Sequence, residues 1–110
     1  MEALIQSPAF PLLDEDGLIL YPEQWNESMA IEIAHLLGIK ELSPDHWLVI
    51  NTLREYYFEF GVAPAMINVC HTHHKNDLWV HDLFATCLNA WRVAGLPNPG
   101  EEAKSYLNNM

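Results

Sequence analysis

The chain has 110 residues, half of them apolar and 11% aromatic, which suffices for one hydrophobic core and excludes a disordered chain. Fifteen acidic residues against five lysines and arginines give a formal charge of -10. Nucleic acids and anionic membranes bind proteins through clustered positive charge. The composition therefore excludes both as expected partners and favours a basic protein surface.

The N-terminal residues and the cysteine count indicate the cellular compartment of the protein. Met1–Phe10 contains Glu2 and Pro8 and has no basic cluster, so it does not have the pattern of a signal peptide. Two cysteines, Cys70 and Cys87, are too few for a disulfide framework in a chain with this much apolar content. We therefore expect a cytoplasmic protein in which both thiols are reduced.

Two short apolar runs, Phe10–Leu13 and Leu18–Leu20, flank an acidic stretch that ends at Gly17. Acidic turn residues followed by a glycine are typical of a tight reversal, so this pattern predicts a β-hairpin. Pro22 ends the second strand, because proline cannot donate to a strand ladder. We expect residues 1–8 to form a flexible N-terminus.

Helix start and stop signals predict four helices after the hairpin. The clearest start is Ser43 as N-cap followed by Pro44. The predicted helices are approximately Asn26–Leu37, Pro44–Phe60, Pro64–His74 and Asn76–Ala94. A shared core is expected to contain Trp47, Phe60, Phe84 and Leu88. The tail from Gly100 to Met110 is polar apart from a few residues and is expected to carry at most a frayed turn. The coarse prediction is an α+β, mainly α domain.

Several segments, in this order, resemble the DsrC/TusE sulfur-relay family. They are Asp14-Glu15-Asp16-Gly17-Leu18-Ile19-Leu20 with Gln24-Trp25, Leu42-Ser43-Pro44-Asp45-His46-Trp47, Leu53-Arg54-Glu55-Tyr56-Tyr57, Ala63-Pro64-Ala65 and Ala94-Gly95-Leu96-Pro97-Asn98-Pro99. The resemblance implies one domain over residues 1–110. In it, an orthogonal helical bundle of four or more helices follows the N-terminal β-hairpin, and residues 95–110 form a mobile C-terminal arm. It also implies partners, either a siroheme sulfite reductase or a sulfur-relay complex that leads to tRNA 2-thiouridine.

The resemblance further implies a cysteine near the end of the arm that carries sulfur, and in DsrC proteins a second cysteine upstream of the arm. Counted from the Ala94–Pro99 signature, the upstream position is occupied by Trp91 and the terminal one by Glu102. Ile67 stands where the family has an arginine. Sulfur transport by the arm is therefore not expected, and we expect residues from Gly100 onward either to fray or to pack on the protein through Tyr106 and Leu107.

Two other groups of residues are candidates for chemistry. Cys87, one helical turn before Trp91, and Cys70 are candidate sulfur-carrying thiols, although Cys87 also lies on an apolar stripe and would suit the core. Cys70, His73 and His74 share a helix face and could bind zinc or copper, with His81 as a conceivable fourth ligand. Their spacing matches no established zinc motif, and a polar helix end explains the histidines equally well.

Three functional hypotheses follow from these patterns. The first is a non-enzymatic partner-binding or regulatory protein of the sulfur-relay family, linked to sulfur metabolism and without a cofactor. The second is a thiol-based sulfur carrier that uses Cys87 or Cys70. The third is a small metal-binding module. The spacing of two helices around Gly61 is also that of a helix-turn-helix, but its second helix has only Lys75 as a positive charge, so DNA binding is not expected. No nucleophile triad or phosphate-binding loop is present, so we expect no enzyme.

Overall fold

The computed structural model describes residues 13–110, and in this part of the chain the structure is a bundle of six helices behind a short N-terminal turn. A single 3₁₀ turn, Pro22–Gln24, precedes them. The helices are α1 Glu27–Leu36, α2 Pro44–Phe60, α3 Met66–Thr72, α4 Trp79–Phe84, α5 Cys87–Val93 and α6 Glu101–Asn108. α5 lies at the centre and packs against α1, α2, α4 and α6. The mainly helical character agrees with the prediction, but the α+β class is wrong, since residues 13–110 contain no strand.

The predicted β-hairpin is wrong. Most of its first strand lies outside the described residues, and residues 13–110 contain no strand, only an isolated antiparallel bridge between Leu13 and Ile19. The reversal itself is present. The Asp14 carboxylate accepts hydrogen bonds from the amides of Asp16 and Leu18. Within residues 13–110 the reversal carries no longer ladder, and the 3₁₀ turn begins soon after Ile19.

The start signals of α1 and α2 are confirmed. The Asn26 side chain accepts from the Met29 amide at 3.0 Å, and the Ser43 hydroxyl accepts from the His46 amide at 3.3 Å. His46 Nδ1 accepts in return from the Ser43 amide, which completes a capping box. Its Nε2 then carries the proton and donates to the Leu83 carbonyl at 2.8 Å. The cap of α2 is thereby joined to the end of α4.

The single helix predicted over Asn76–Ala94 is interrupted, so this prediction is wrong. Ala85 has a φ of 73°, and Thr86 caps a new helix by accepting from the Asn89 amide. In a continuous helix the carbonyls of Leu83 and Phe84 would accept from amides four residues later. Here they accept instead from His46 and from the Asn89 side chain. Side chains thereby satisfy the carbonyls that the interruption leaves without amide partners.

The third predicted helix is shorter than expected, since α3 begins at Met66 rather than Pro64 and its N-cap Ala65 has extended backbone angles. The predicted core is correct for Phe84 and Leu88, which are buried, and the half-buried Trp47 packs against the core cluster that contains them. It is wrong for Phe60, whose exposed fraction is 57%. Within residues 13–110, no helix combines the length and the apolar character needed to cross a membrane.

Candidate functional site

The Ala94–Pro99 signature forms a sharp corner between α5 and α6, and two side chains from elsewhere in the chain hold it. Gly95 turns the chain with a φ of 69°. The Arg54 guanidinium donates to the carbonyls of Ala94 and Gly95 at 2.7 and 3.2 Å. Trp25 donates from its indole nitrogen to the Val93 carbonyl at 3.0 Å. The base of the C-terminal segment is therefore fixed on the bundle.

The packing of this corner explains why glycine and tryptophan occur together in it. The Arg54 guanidinium lies over the Trp25 ring, 4.0 Å from the ring centroid. Trp25 in turn lies so close to Gly95 that a Cβ atom at that position would be 1.9 Å from its Cδ1. Burial lowers the pKa of Arg54 from its ordinary value. Two carbonyls and the rings of Trp25 and Phe58 hold the guanidinium, and within residues 13–110 no carboxylate pairs with it.

Trp91, at the position predicted for the family's upstream cysteine, has a packing role. Its side chain is fully buried and meets Tyr57 edge-on, with ring centroids 5.9 Å apart. The indole nitrogen donates to the Pro97 carbonyl at 2.7 Å. This position therefore supports the residues that follow the corner.

The segment after Gly100 is an ordered helix on the surface of the bundle. Leu107 is fully buried, and the Tyr106 hydroxyl accepts from the Met66 amide at 2.9 Å. His81 Nδ1 lies 2.7 Å from the carbonyl oxygen of Met110. Of the two expected outcomes for this segment, packing through Tyr106 and Leu107 is confirmed and a frayed turn is not. Glu102, at the position predicted for the family's terminal cysteine, is exposed on α6.

A salt bridge also ties α6 to the N-terminal turn. The Lys104 ammonium lies 2.7 Å from the Asp16 carboxylate and 3.0 Å from that of Glu101, and only 14% of the Lys104 side chain is exposed. Hydrogen bonds to Asp16 and then to Glu101 raise the pKa of Lys104 above its ordinary value. Arg92 donates to the main-chain oxygen of Asp16 at 2.8 Å. The two ends of the described chain are thus joined.

Both candidate thiols lie in the core. Cys70 and Cys87 are free and buried, with exposed fractions of 1% and 2%. Burial, with a further contribution from Cys70, raises the pKa of the Cys87 thiol to about 12. The Cys70 sulfur lies 3.7 Å from the carbonyl oxygen of Asp77. Since the thiolate is the nucleophile, we expect Cys87 to react slowly near neutral pH in this conformation.

The residues named as candidate metal ligands are not brought together. Cys70 is inside the core, whereas His74 is exposed with a φ of 60°. His73 Nε2 lies 2.8 Å from the Thr52 hydroxyl. His81 lies against Met110. Within residues 13–110, no group of three or more histidine, cysteine or acidic side chains has the geometry to hold a metal ion.

Three residues at this site were not found by sequence reasoning, namely Trp25, Arg54 and Lys104. Arg54 offers one signal, because it is the sole cation of α2 and follows the fully buried Leu53 in the sequence. A cation beside a buried stripe implies a specific acceptor. The roles of Trp25 and Lys104 could not be recognised from the sequence, since the residues they contact, Gly95 and Asp16, are far away in the chain.

Comparison with known proteins places these features in a family. The family described as DsrC like protein matches residues 10–101. Sulfurtransferase TusE of Salmonella choleraesuis (strain SC-B67) is 37% identical, and the alignment covers 78% of this chain and 86% of the relative. Sulfurtransferase TusE of Escherichia coli (strain K12) is 35% identical over the same shares.

Solved structures agree with this assignment. The oxidized gamma-subunit of the dissimilatory sulfite reductase (DsrC) from Archaeoglobus fulgidus superposes with a TM-score of 0.72 at 32% identity, covering 83% of this chain and 90% of the other. The DsrC/gamma subunit from Pyrobaculum aerophilum gives 0.72 at 33% identity over 83% and 85%. A chain of dissimilatory sulfite reductase I (DsrI) gives 0.75 at 27% identity over 82% and 88%.

The names of the relatives correct one expectation. The prediction that the chain is not an enzyme is wrong, because the relatives are named sulfurtransferases, a sulfur-transfer role in a relay. The family match ends at residue 101, so α6 lies almost wholly beyond the matched residues. With 92 matched residues between positions 10 and 101 and the same fold as the gamma subunits, this chain belongs to the DsrC/TusE family of sulfur-relay proteins.

Proposed function

We propose that this chain is a partner-binding protein of a cytoplasmic sulfur relay, linked to sulfur metabolism, whose helical body docks onto relay or sulfite-reductase proteins and regulates them. The observation that carries the proposal is the state of the C-terminal segment. It is packed on the bundle through Leu107, and Glu102 stands where counting from the Ala94–Pro99 signature predicts the terminal cysteine. Two unpaired cysteines support a reducing compartment.

The chemistry of the C-terminal segment favours partner binding by the helical body of the protein over partner binding by an extended C-terminal arm. A carboxylate forms neither a persulfide nor a disulfide, and burial of an unpaired carboxylate in a partner's pocket is costly. To extend, α6 would have to expose Leu107 and break the contacts of Tyr106 and Lys104. The body, in contrast, is acidic and rigidly assembled around α5. It suits a partner with a basic surface.

Capture of partners by the tagged full-length chain tests this proposal. We expect sulfur-relay or sulfite-reductase proteins of the native host to be retained and identified by mass spectrometry. A double variant, Glu102→Ala with Asn108→Ala, changes only exposed positions of α6 and should retain them equally well. Loss of these proteins in the α6 variant alone would show that the C-terminal segment is still the functional element. Failure of the wild-type chain to retain any of them would refute the proposal.

Sulfur transfer through Cys87 or Cys70 is a second candidate function, and the observation that favours it is the name of the relatives, which are sulfurtransferases. The two thiols are also close enough for Cys70 to influence the charge state of Cys87. A carrier would require a local opening that exposes one of them. The interruption between α4 and α5 lies immediately before Cys87 and is where such an opening would begin.

Thiol reactivity separates the two candidates. With a pKa of about 12 for Cys87, we expect native alkylation by iodoacetamide between pH 7 and 9 to be far slower than for a free thiol of pKa about 8.5. Urea should abolish the difference, and Cys70→Ala and Cys87→Ala variants assign the signal. We also expect no gain of sulfur from a persulfide donor. Rapid native alkylation, together with a mass increase of one sulfur atom, would favour the carrier instead.

A further inference from the structure

The outer face of the second half of α2 carries aromatic and acidic side chains and is turned away from the core. Its members share helical spacing of three and four residues, which places them on one stripe. They are Thr52, Glu55, Tyr56, Glu59 and Phe60, and we refer to them as the α2 outer face. None of the five is buried, whereas Val49, Ile50 and Leu53 on the opposite side of the helix are in the core.

Two aromatic rings form the centre of the α2 outer face. Phe60 packs on Tyr56, with ring centroids 4.6 Å apart, and its exposed fraction is 57%. Tyr56 and Thr52 line one side of a 120 Å³ pocket between α2 and α3, and Pro64 and Val69 contribute to its lining. An exposed aromatic pair beside a small pocket provides both a flat apolar platform and a recess for a partner side chain.

Both formally charged side chains of the α2 outer face are negative. Glu55 and Glu59 are exposed, and within residues 13–110 neither carboxylate pairs with a cation. The last turn of α2 contains no basic residue, and its free carbonyls add the negative end of the helix dipole. Arg54, although next to Glu55 in the sequence, is held against Trp25 and the corner carbonyls. Within residues 13–110, no lysine or arginine therefore pairs with the two carboxylates of the platform.

We propose that the α2 outer face is the docking surface for a basic segment of the relay partner, which lays an arginine or lysine side chain on the Tyr56–Phe60 ring pair between Glu55 and Glu59. The aliphatic stem of such a side chain covers the rings, its cation interacts with their faces, and its head is within reach of both carboxylates. A second copy of this chain is disfavoured as the occupant, because each copy has a net charge of -10. The inference rests on the proposed function and names the surface it would use.

Binding measurements with the partner protein purified from the capture experiment test the surface. Phe60→Ser should weaken binding to the full-length chain on the order of tenfold or more, as for a central aromatic contact. The double variant Glu55→Gln with Glu59→Gln should weaken binding at low salt and flatten its salt dependence, since the paired charges are lost. Leu78→Ser is the matched control, because Leu78 is an equally exposed apolar residue, at 60%, on another part of the bundle.

The outcomes distinguish the surface from the function. Cross-linking to the partner from a photoreactive residue at position 60, but not at position 78, supports the surface. If the partner binds and Phe60→Ser matches the Leu78→Ser control, the surface is wrong while the proposed function stands. Cross-links from position 60 to another copy of the chain would show a dimer interface and overturn the proposal. If the wild-type chain captures no relay or reductase protein, the proposed function fails and the surface with it.

Discussion

Gly95→Ala is expected to destabilise the protein by about 2–5 kcal/mol, combining a left-handed backbone with overpacking of the core. The φ of Gly95 is 69°, which a residue with a Cβ adopts only under strain. The added Cβ would also meet Cδ1 of Trp25 at 1.9 Å, so the indole has to leave its place. Displacement of Trp25 removes its hydrogen bond to Val93 and its stacking with Arg54. Urea-induced unfolding measures the loss.

Gly38→Ala provides the matched control for this effect. Gly38 has a φ of 87°, and a Cβ built there has no neighbour within 4 Å. Only the backbone contribution remains, and it should cost about 1–2 kcal/mol. Equal losses for the two variants would show that the close approach of Trp25 to Gly95 does not occur in solution. A larger loss at Gly95, partly recovered by combining it with Trp25→Leu, would confirm that contact.

The sequence correctly predicts those helix ends that are determined by residues only a few positions apart. Asn26 and Ser43 cap their helices through bonds to residues three positions later, so the pattern can be read directly from the sequence. Gly61 ends α2 with a left-handed cap for the same local reason. The resemblance to the family is also carried by short segments, and the family match over residues 10–101 agrees with it.

The errors occurred where distant residues decide the local structure. Alanine is a strong helix former, so nothing in the sequence at Ala85 predicts that a helix ends there. At the break, the Leu83 carbonyl is hydrogen-bonded to His46, which is far from Leu83 in sequence. Phe60 likewise fits the apolar spacing of α2 but packs on Tyr56 at the surface. The corner at Ala94–Pro99 is held by Trp25 and Arg54. Their hydrogen-bond acceptors lie far away in the sequence, so these contacts could be identified only from the three-dimensional structure.

Leu107→Ala is expected to lower the free energy of unfolding by about 2–5 kcal/mol, as for a leucine deleted from a packed core. Leu107 is fully buried, and it belongs to the same cluster as Trp91 and Leu96. The matched control is Leu78→Ala, whose side chain is 60% exposed and should change stability by no more than about 0.5 kcal/mol. Chemical denaturation of the two variants and the wild-type chain gives the comparison.

The loss of stability in Leu107→Ala indicates how often α6 is released from the bundle, and therefore whether a partner can bind the released segment. Every 1.4 kcal/mol changes a population about tenfold, so a docking energy near 3 kcal/mol leaves under about one per cent of molecules with α6 released. The affinity of a partner that binds the released segment would be reduced by that free energy, whereas the affinity of a partner on the α2 outer face would not. Amide hydrogen exchange within α6 should accordingly be protected in the wild-type chain and accelerated in Leu107→Ala. Unprotected α6 amides, with Leu107→Ala no more destabilising than Leu78→Ala, would mean that the segment is an arm after all and that partner binding must be sought there.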